Sequence, residues 1–132
     1  MRAVIEKIGR YNDYTYVVMF LPLGHRCGYV ALPKTHKYYG YNDMDIPLSV
    51  YGGITYASDT LDSRIDIDDV WWIGFDYAHL ADGHDYKALE DYYGKEAADK
   101  IKFMDATLNR TNYSVTTCEE VMDECINLIK QL

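Results

Sequence analysis

The chain lacks the features that would pin it to a membrane, a secretory route or a disulfide scaffold. No apolar run approaches the roughly 20 residues that a bilayer-spanning helix needs. The longest, Val17 to Leu23, is strand-length and contains Pro22. The opening Met1-Arg2-Ala3-Val4-Ile5-Glu6-Lys7 has neither the apolar core nor the cleavage pattern of a leader. Cysteine is scarce and odd in number, at three. Cys118 and Cys125 lie on an expected helix, about 10 Å apart along its axis, too far for a disulfide. They read as small core hydrophobes facing one way. Cys27 stands alone, and no spacing matches a zinc knuckle or a redox CxxC pair. These absences point to a cytoplasmic protein.

Familiar ligand loops are missing too. There is no Walker pattern, no G-x-G-x-x-G and no HExxH, which argues against a conventional nucleotide-cofactor enzyme or zinc protease. Asp66-Ile67-Asp68-Asp69 lacks the glycine and terminal glutamate of a calcium loop. No cofactor is implied.

Acid is absent from one stretch and concentrated in the next. Residues 14–42 contain no Asp or Glu but hold Arg26, Lys34, Lys37, His25 and His36. Residues 38–86 contain ten aspartates against one basic residue, Arg64, which exceeds the whole chain's net charge of −8. Affinity for phosphate backbones comes from Lys and Arg, so the acidic segment does not suit direct nucleic-acid binding. A basic surface on another protein suits it, and a solvated acidic loop accounts for it equally well.

What is present is enough for a folded domain. At 132 residues the chain fits a single domain (1–132) with a core of its own. Fourteen tyrosines and two tryptophans are too many for a disordered segment. Ala3–Gly9 and Thr15–Leu21 read as strands about a turn at Tyr11-Asn12-Asp13, giving a hairpin. Cys27–Leu32 is a third strand, stopped by Pro33. A tyrosine-rich loop runs from Lys34 to Pro47. Leu48–Tyr56 reads as a fourth strand, with Gly52-Gly53 marking a bulge or a close approach by a ligand or another backbone. After an acidic loop, Asp59–Asp69, the fifth strand Val70–Tyr77 looks buried on both faces from Trp72 to Phe75.

The pattern then turns helical. Asp85–Met104 carries an apolar series at Ala88, Leu89, Ala97, Ala98, Ile101 and Met104, with a break or a second helix at Gly94. A polar connection spans Asn109–Ser114. The last helix opens with a Thr117/Glu120 capping box and has an apolar stripe of Val121, Cys125, Leu128, Ile129 and Leu132. Strands first and helices last indicate an α+β fold: an antiparallel sheet of about five strands (residues ~2–78), then two or three helices on one face.

The densest chemistry lies where the fifth strand ends, at Asp76, His79, Asp82, His84 and Asp85. Asp76 and His79 could form an acid–base pair, with Asp76 fixing the imidazole tautomer. With His84 or Asp85 they could hold a divalent metal. The plainer alternative is that Asp76 caps the loop backbone and His79 packs beneath it. His36 is a further catalytic candidate. A nucleotide site would use Arg26, Lys34 and His36 on phosphate and Tyr51, Trp71 and Trp72 for stacking, beside Asp76 and His79. A partner surface would use Tyr38, Tyr39 and Tyr41 with Asp62, Asp66, Asp68 and Asp69. Self-association stays open.

The run Gly28-Tyr29-Val30-x-x-Pro33-x-x-His36, then Val50-Tyr51-Gly52-Gly53-Ile54-Thr55-Tyr56, then Trp71-Trp72-Ile73-Gly74-Phe75-Asp76-x-Ala78-His79 resembles a family of small accessory proteins of tailed phages and prophages. The resemblance covers about residues 27–82. In that family a histidine often precedes the glycine pair, where this chain has Tyr51. The resemblance implies a mobile-element origin and, by analogy, action against host defences. Three expectations follow: an anti-CRISPR-like inhibitor binding a host defence protein, a sponge for a nucleotide immune signal, or a small hydrolase built on Asp76 and His79.

Overall fold

The computed structural model describes residues 1–111 and 113–132; Asn112, in the expected polar connection, lies outside them. Its five strands are β1 (Val4–Tyr11), β2 (Tyr14–Phe20), β3 (Arg26–Pro33), β4 (Tyr56–Ser58) and β5 (Val70–Asp76). They form one antiparallel sheet in the order β1-β2-β3-β5-β4. Three helices follow: α1 (Tyr86–Tyr93), α2 (Lys95–Thr107) and α3 (Cys118–Ile129). The fold is α+β.

Local chemistry explains most of these elements. Asn12 and Asp13 both take positive φ, the twist that a two-residue hairpin loop between β1 and β2 demands. Gly94, at φ 97, separates α1 from α2. Asp85 caps α1 by accepting from the Ala88 N–H. Thr117 and Glu120 bond reciprocally at the start of α3. Trp72 through Phe75 are buried, as a central strand requires.

Alternation along β2 divides the interior. Tyr16 and Val18 face α3, where they meet Val30, Leu32, Ile73 and Phe75 under Val121, Cys125, Leu128 and Ile129. Phe20 packs against Ala88, Leu89, Ala98 and Ile101 of the α1–α2 pair. Val17, Met19 and Trp72 point to the other face, which is covered by Leu61, Ile65 and Ile67 from the acidic loop. That loop is therefore the lid of a second core layer.

Two expectations fail here. Residues 48–55 are not a strand; only Tyr56–Ser58 pair with β5. Val50 to Gly53 instead form a hydrogen-bonded turn, with Gly52 at φ 70 and Gly53 at φ 82, backbone angles that a strand excludes. Met104 is 50% exposed, and Asp105 takes the inward position after Ile101 on α2.

Candidate functional site

The sheet has two chemically different ends, set by the register of β5. Asp76 pairs with Cys27 at one end and Val70 with Pro33 at the other. At about 3.3 Å per residue the two ends lie roughly 20 Å apart. His79 follows Asp76, and His36 follows Pro33, so the two histidines sit at opposite ends.

At the Asp76 end the turn containing Gly52 brings Tyr51 onto Tyr77, with ring centroids 4.4 Å apart and planes at 10°. The Tyr51 hydroxyl donates to Asp82 Oδ1 at 2.6 Å. Asp82 Oδ2 accepts the His79 backbone N–H at 2.9 Å and lies 3.3 Å from His79 Nδ1. Asp76 Oδ1 is 4.0 Å from that nitrogen, beyond hydrogen-bond reach. Asp82, not Asp76, thus orients the imidazole. Asp76 accepts from the Thr55 hydroxyl and the Ala78 N–H, which is the backbone-capping role. The His79 side chain is 40% exposed, so it forms a rim and not a core contact.

Behind this rim lies a buried polar cluster. Asp105 Oδ2 is 2.6 Å from His84 Nδ1 and accepts from the Tyr86 hydroxyl. Arg110 donates to Asp105 Oδ1 at 3.2 Å and to the carbonyls of Leu80 and Asp82. Burial alone would raise the Asp105 pKa, but the bonds from His84 and Tyr86 and the Arg110 charge hold it below the ordinary carboxylate value. His25 lies against His84 with centroids 4.4 Å apart. Burial, reinforced by His84 and Arg110, pushes the His25 pKa down to about 4.

His25, expected only as part of the basic stretch, instead joins this buried cluster; of the residues that sequence reasoning missed, Arg110 carries no local signal. Asp105 does: it continues the spacing of Ala97 and Ile101 on the buried face of α2, where an apolar residue belongs.

The expected nucleotide site is not assembled. Arg26 is 7% exposed and saturated by Glu6 at 2.7 and 3.1 Å, Asp85 at 2.7 Å and the Thr116 carbonyl at 2.9 Å. A bulge in β1 between Ile5 and Lys7 re-aims Glu6 toward it. Trp72 is 2% exposed and has no free face for stacking. Lys34 pairs with Asp69 at 3.0 Å. His36 closes a turn by accepting from the Tyr38 N–H. Trp71 donates its indole N–H to the Tyr41 carbonyl and packs near Tyr39, while Tyr38 rests on the core and against Tyr41.

The metal idea fails on geometry. His84 is engaged by Asp105 and Asp85 by Arg26, and among the described residues no three His, Cys, Asp or Glu side chains gather closely enough to hold an ion.

The expected partner aspartates divide by role. Asp62 receives three bonds from Arg64, whose Nη2 also donates to the Ala3 carbonyl, so it anchors the loop. Asp66 and Asp68 are exposed and, among the described residues, make no ion pair; Asp59 beside them is the same.

Fold and site together define an α+β protein with an aromatic–carboxylate rim at one sheet end and a pinned acidic loop over one sheet face. No helix among the described residues is long and apolar enough to cross a membrane. No protein-family model, curated protein or solved structure matches the chain.

Proposed function

We propose that this chain is a non-enzymatic, phage- or prophage-encoded counter-defence protein. It acts in the cytoplasm of a bacterial host, binding a basic surface of an antiviral immune protein in the manner of an anti-CRISPR inhibitor. The observation that carries this reading is the acidic loop. Leu61, Ile65 and Ile67, partly buried, pack on the sheet layer, and the Asp62–Arg64–Ala3 contacts pin the loop. Asp59, Asp66 and Asp68 stay exposed and, among the described residues, unneutralised along an open groove of about 510 Å³. A charged surface that is already ordered loses little entropy on docking and steers a basic partner toward it.

The sponge reading has less support, because Trp72 is buried and Arg26 and Lys34 already have acidic partners. The hydrolase reading on Asp76 and His79 has less support, because Asp76 is 4.0 Å from the imidazole nitrogen and is engaged by Thr55 and Ala78, while the carboxylate that meets His79, Asp82, is also held by the Tyr51 hydroxyl.

The test is phage plating on bacterial strains that each carry one defined defence system. Expressing the chain should restore plating against at least one of them. Asp59→Asn/Asp66→Asn/Asp68→Asn should abolish that rescue while keeping the wild-type melting temperature. Rescue of no strain, or undiminished rescue by the triple variant, would overturn the reading.

A further inference from the structure

On the opposite side of the sheet from the acidic loop, one face of α3 and the loop before it border an open groove of about 330 Å³. Tyr77, Thr116, Glu120, Asp123, Glu124 and Asn127 line it. Its lining is rich in acceptors. Asp123 makes no hydrogen bond and no ion pair among the described residues, and no Lys or Arg neutralises Glu120 or Glu124. Glu120 is partly engaged in the capping box, and Glu124 accepts from the Tyr51 and Asn127 N–H groups.

Tyr77 supplies a separate observation. It is only 9% exposed, its ring lies between Tyr51 and Phe75, and its hydroxyl has no hydrogen-bond partner among the described residues. That hydroxyl is nonetheless not sealed off, because Tyr77 lines the groove and no buried, partnerless oxygen is found on it. Burial, with the charges of Glu124 and Glu120, raises its pKa, so it remains a neutral hydroxyl able to accept a bond from a cation.

The Tyr77 side chain is thus almost wholly buried, while its one polar atom is open and engaged by no protein group among the described residues, which leaves it free for a ligand in the groove. We propose that this groove binds a guanidinium group, held by Asp123 and Glu124 with the Tyr77 hydroxyl and Asn127 completing the acceptor set. A planar guanidinium presents five N–H donors in a fixed fork and is weakly hydrated, which suits several spread acceptors. A metal ion needs ligands that converge on one point, and these carboxylates do not converge. An ammonium is compact and strongly hydrated, so it satisfies fewer of them. The cation could be an arginine side chain of another protein or a free small guanidine. The site is independent of the acidic loop and of the function proposed for it.

The test is amide chemical-shift titration of the intact chain with three probes: agmatine, arginine capped at both ends, and lysine capped at both ends. Saturable shifts at Tyr77, Thr116, Asp123 and Asn127 are expected with at least one guanidine. Binding should be about tenfold weaker for capped lysine, the size of one lost charge-assisted bond. A preference for capped arginine over agmatine would identify a protein side chain as the source, and the reverse a free metabolite. Tyr77→Phe, which removes no internal hydrogen bond, and Asp123→Asn, at an exposed position, should each weaken binding severalfold. Asp66→Asn/Asp68→Asn should leave it unchanged, which separates this site from the acidic loop. Shifts that rise without saturating, equal affinity for capped lysine, or undiminished binding by Tyr77→Phe would each overturn the proposal.

Discussion

Asp105 Oδ2 lies 2.6 Å from His84 Nδ1, tying the underside of α2 to the loop that leaves β5. The same carboxylate accepts from Tyr86 and pairs with Arg110, and it is 2% exposed. Removing it leaves a half-buried guanidinium and a half-buried imidazole without their common acceptor. Asp105→Ala is expected to cost about 3–5 kcal/mol, the range for breaking one side of a buried charge pair. Asp105→Asn should cost less, since it keeps one acceptor oxygen. Urea unfolding of the two variants checks the order.

Arg26 plays a similar role at the start of β3, joining Glu6 on β1, the α1 cap Asp85 and the Thr116 carbonyl ahead of α3. Three segments distant in sequence meet on one fork-shaped group. Arg26→Lys should therefore fail to rescue, because an ammonium cannot reproduce the two-pronged contact with Glu6. Both Arg26→Lys and Arg26→Ala are expected to lower the urea midpoint and to speed amide exchange at Ala88, whose N–H bonds Asp85. A lysine variant as stable as wild type would contradict this.

The difference between these two clusters and α3 explains what could be read in the sequence. The capping box, the apolar stripe of α3 and the hairpin turn at Asn12-Asp13 are short-range patterns, and each appears where expected. The stretch Leu48–Tyr56 has strand-like composition, but pairing needs a partner edge, and two left-handed glycines bend most of it away from β5. Asp76, His79 and Asp82 were legible as a site because they are adjacent in sequence. Their division of labour was not, since it depends on Tyr51, Arg110 and Asp105 arriving from elsewhere. The burial of Arg26 depends on the bulge beside Glu6, which no local motif announces.

Gly52 and Gly53 separate two effects of adding a side chain. Both have positive φ, so alanine at either costs about 1–2 kcal/mol in backbone strain. A Cβ on Gly52 would in addition come within 2.2 Å of His79 Cε1, whereas one on Gly53 would meet nothing within 4 Å. Gly52→Ala should therefore be the more destabilising and should displace the imidazole. Gly52→Ala/His79→Ala should recover the excess, leaving a cost like that of Gly53→Ala. Additive losses in this double-mutant cycle would show that the ring does not carry the difference.

Acid should destabilise the chain in two successive windows. His25 titrates at about 4 in the fold against an ordinary 6.5, so the unfolded chain takes up its proton first. Its contribution is whole above 6.5 and is eroded as the pH falls toward 4. The Asp105 pKa is held below its ordinary 3.8, so its contribution is present above that value and is lost as the pH drops through the still lower folded value. His25→Gln should shrink the first window to the part that His36, whose pKa burial also lowers, contributes, and leave the second. Urea midpoints measured across the acid range, with the His25 ring followed by NMR, distinguish the two.

The aspartates of the 59–69 loop should not behave as a set. Asp62 accepts the Arg64 backbone N–H and its guanidinium, contacts that hold its carboxyl well below the usual range, and Arg64 in turn grips the Ala3 carbonyl at the start of the sheet. Asp62→Asn loses the charge that organises this chain of contacts, so it should lower the urea midpoint and loosen the cover over Trp72. Asp66 and Asp68 are exposed and make no ion pair among the described residues, and they lie in the most acidic part of a chain with net charge −8. Replacing them by Asn relieves like-charge repulsion and should leave stability unchanged or slightly raised. Trp72 fluorescence during urea unfolding reads both effects, since its indole is buried beneath Leu61, Ile65 and Ile67. If Asp66→Asn/Asp68→Asn destabilised the chain as much as Asp62→Asn, those carboxylates would be structural and unavailable to a partner.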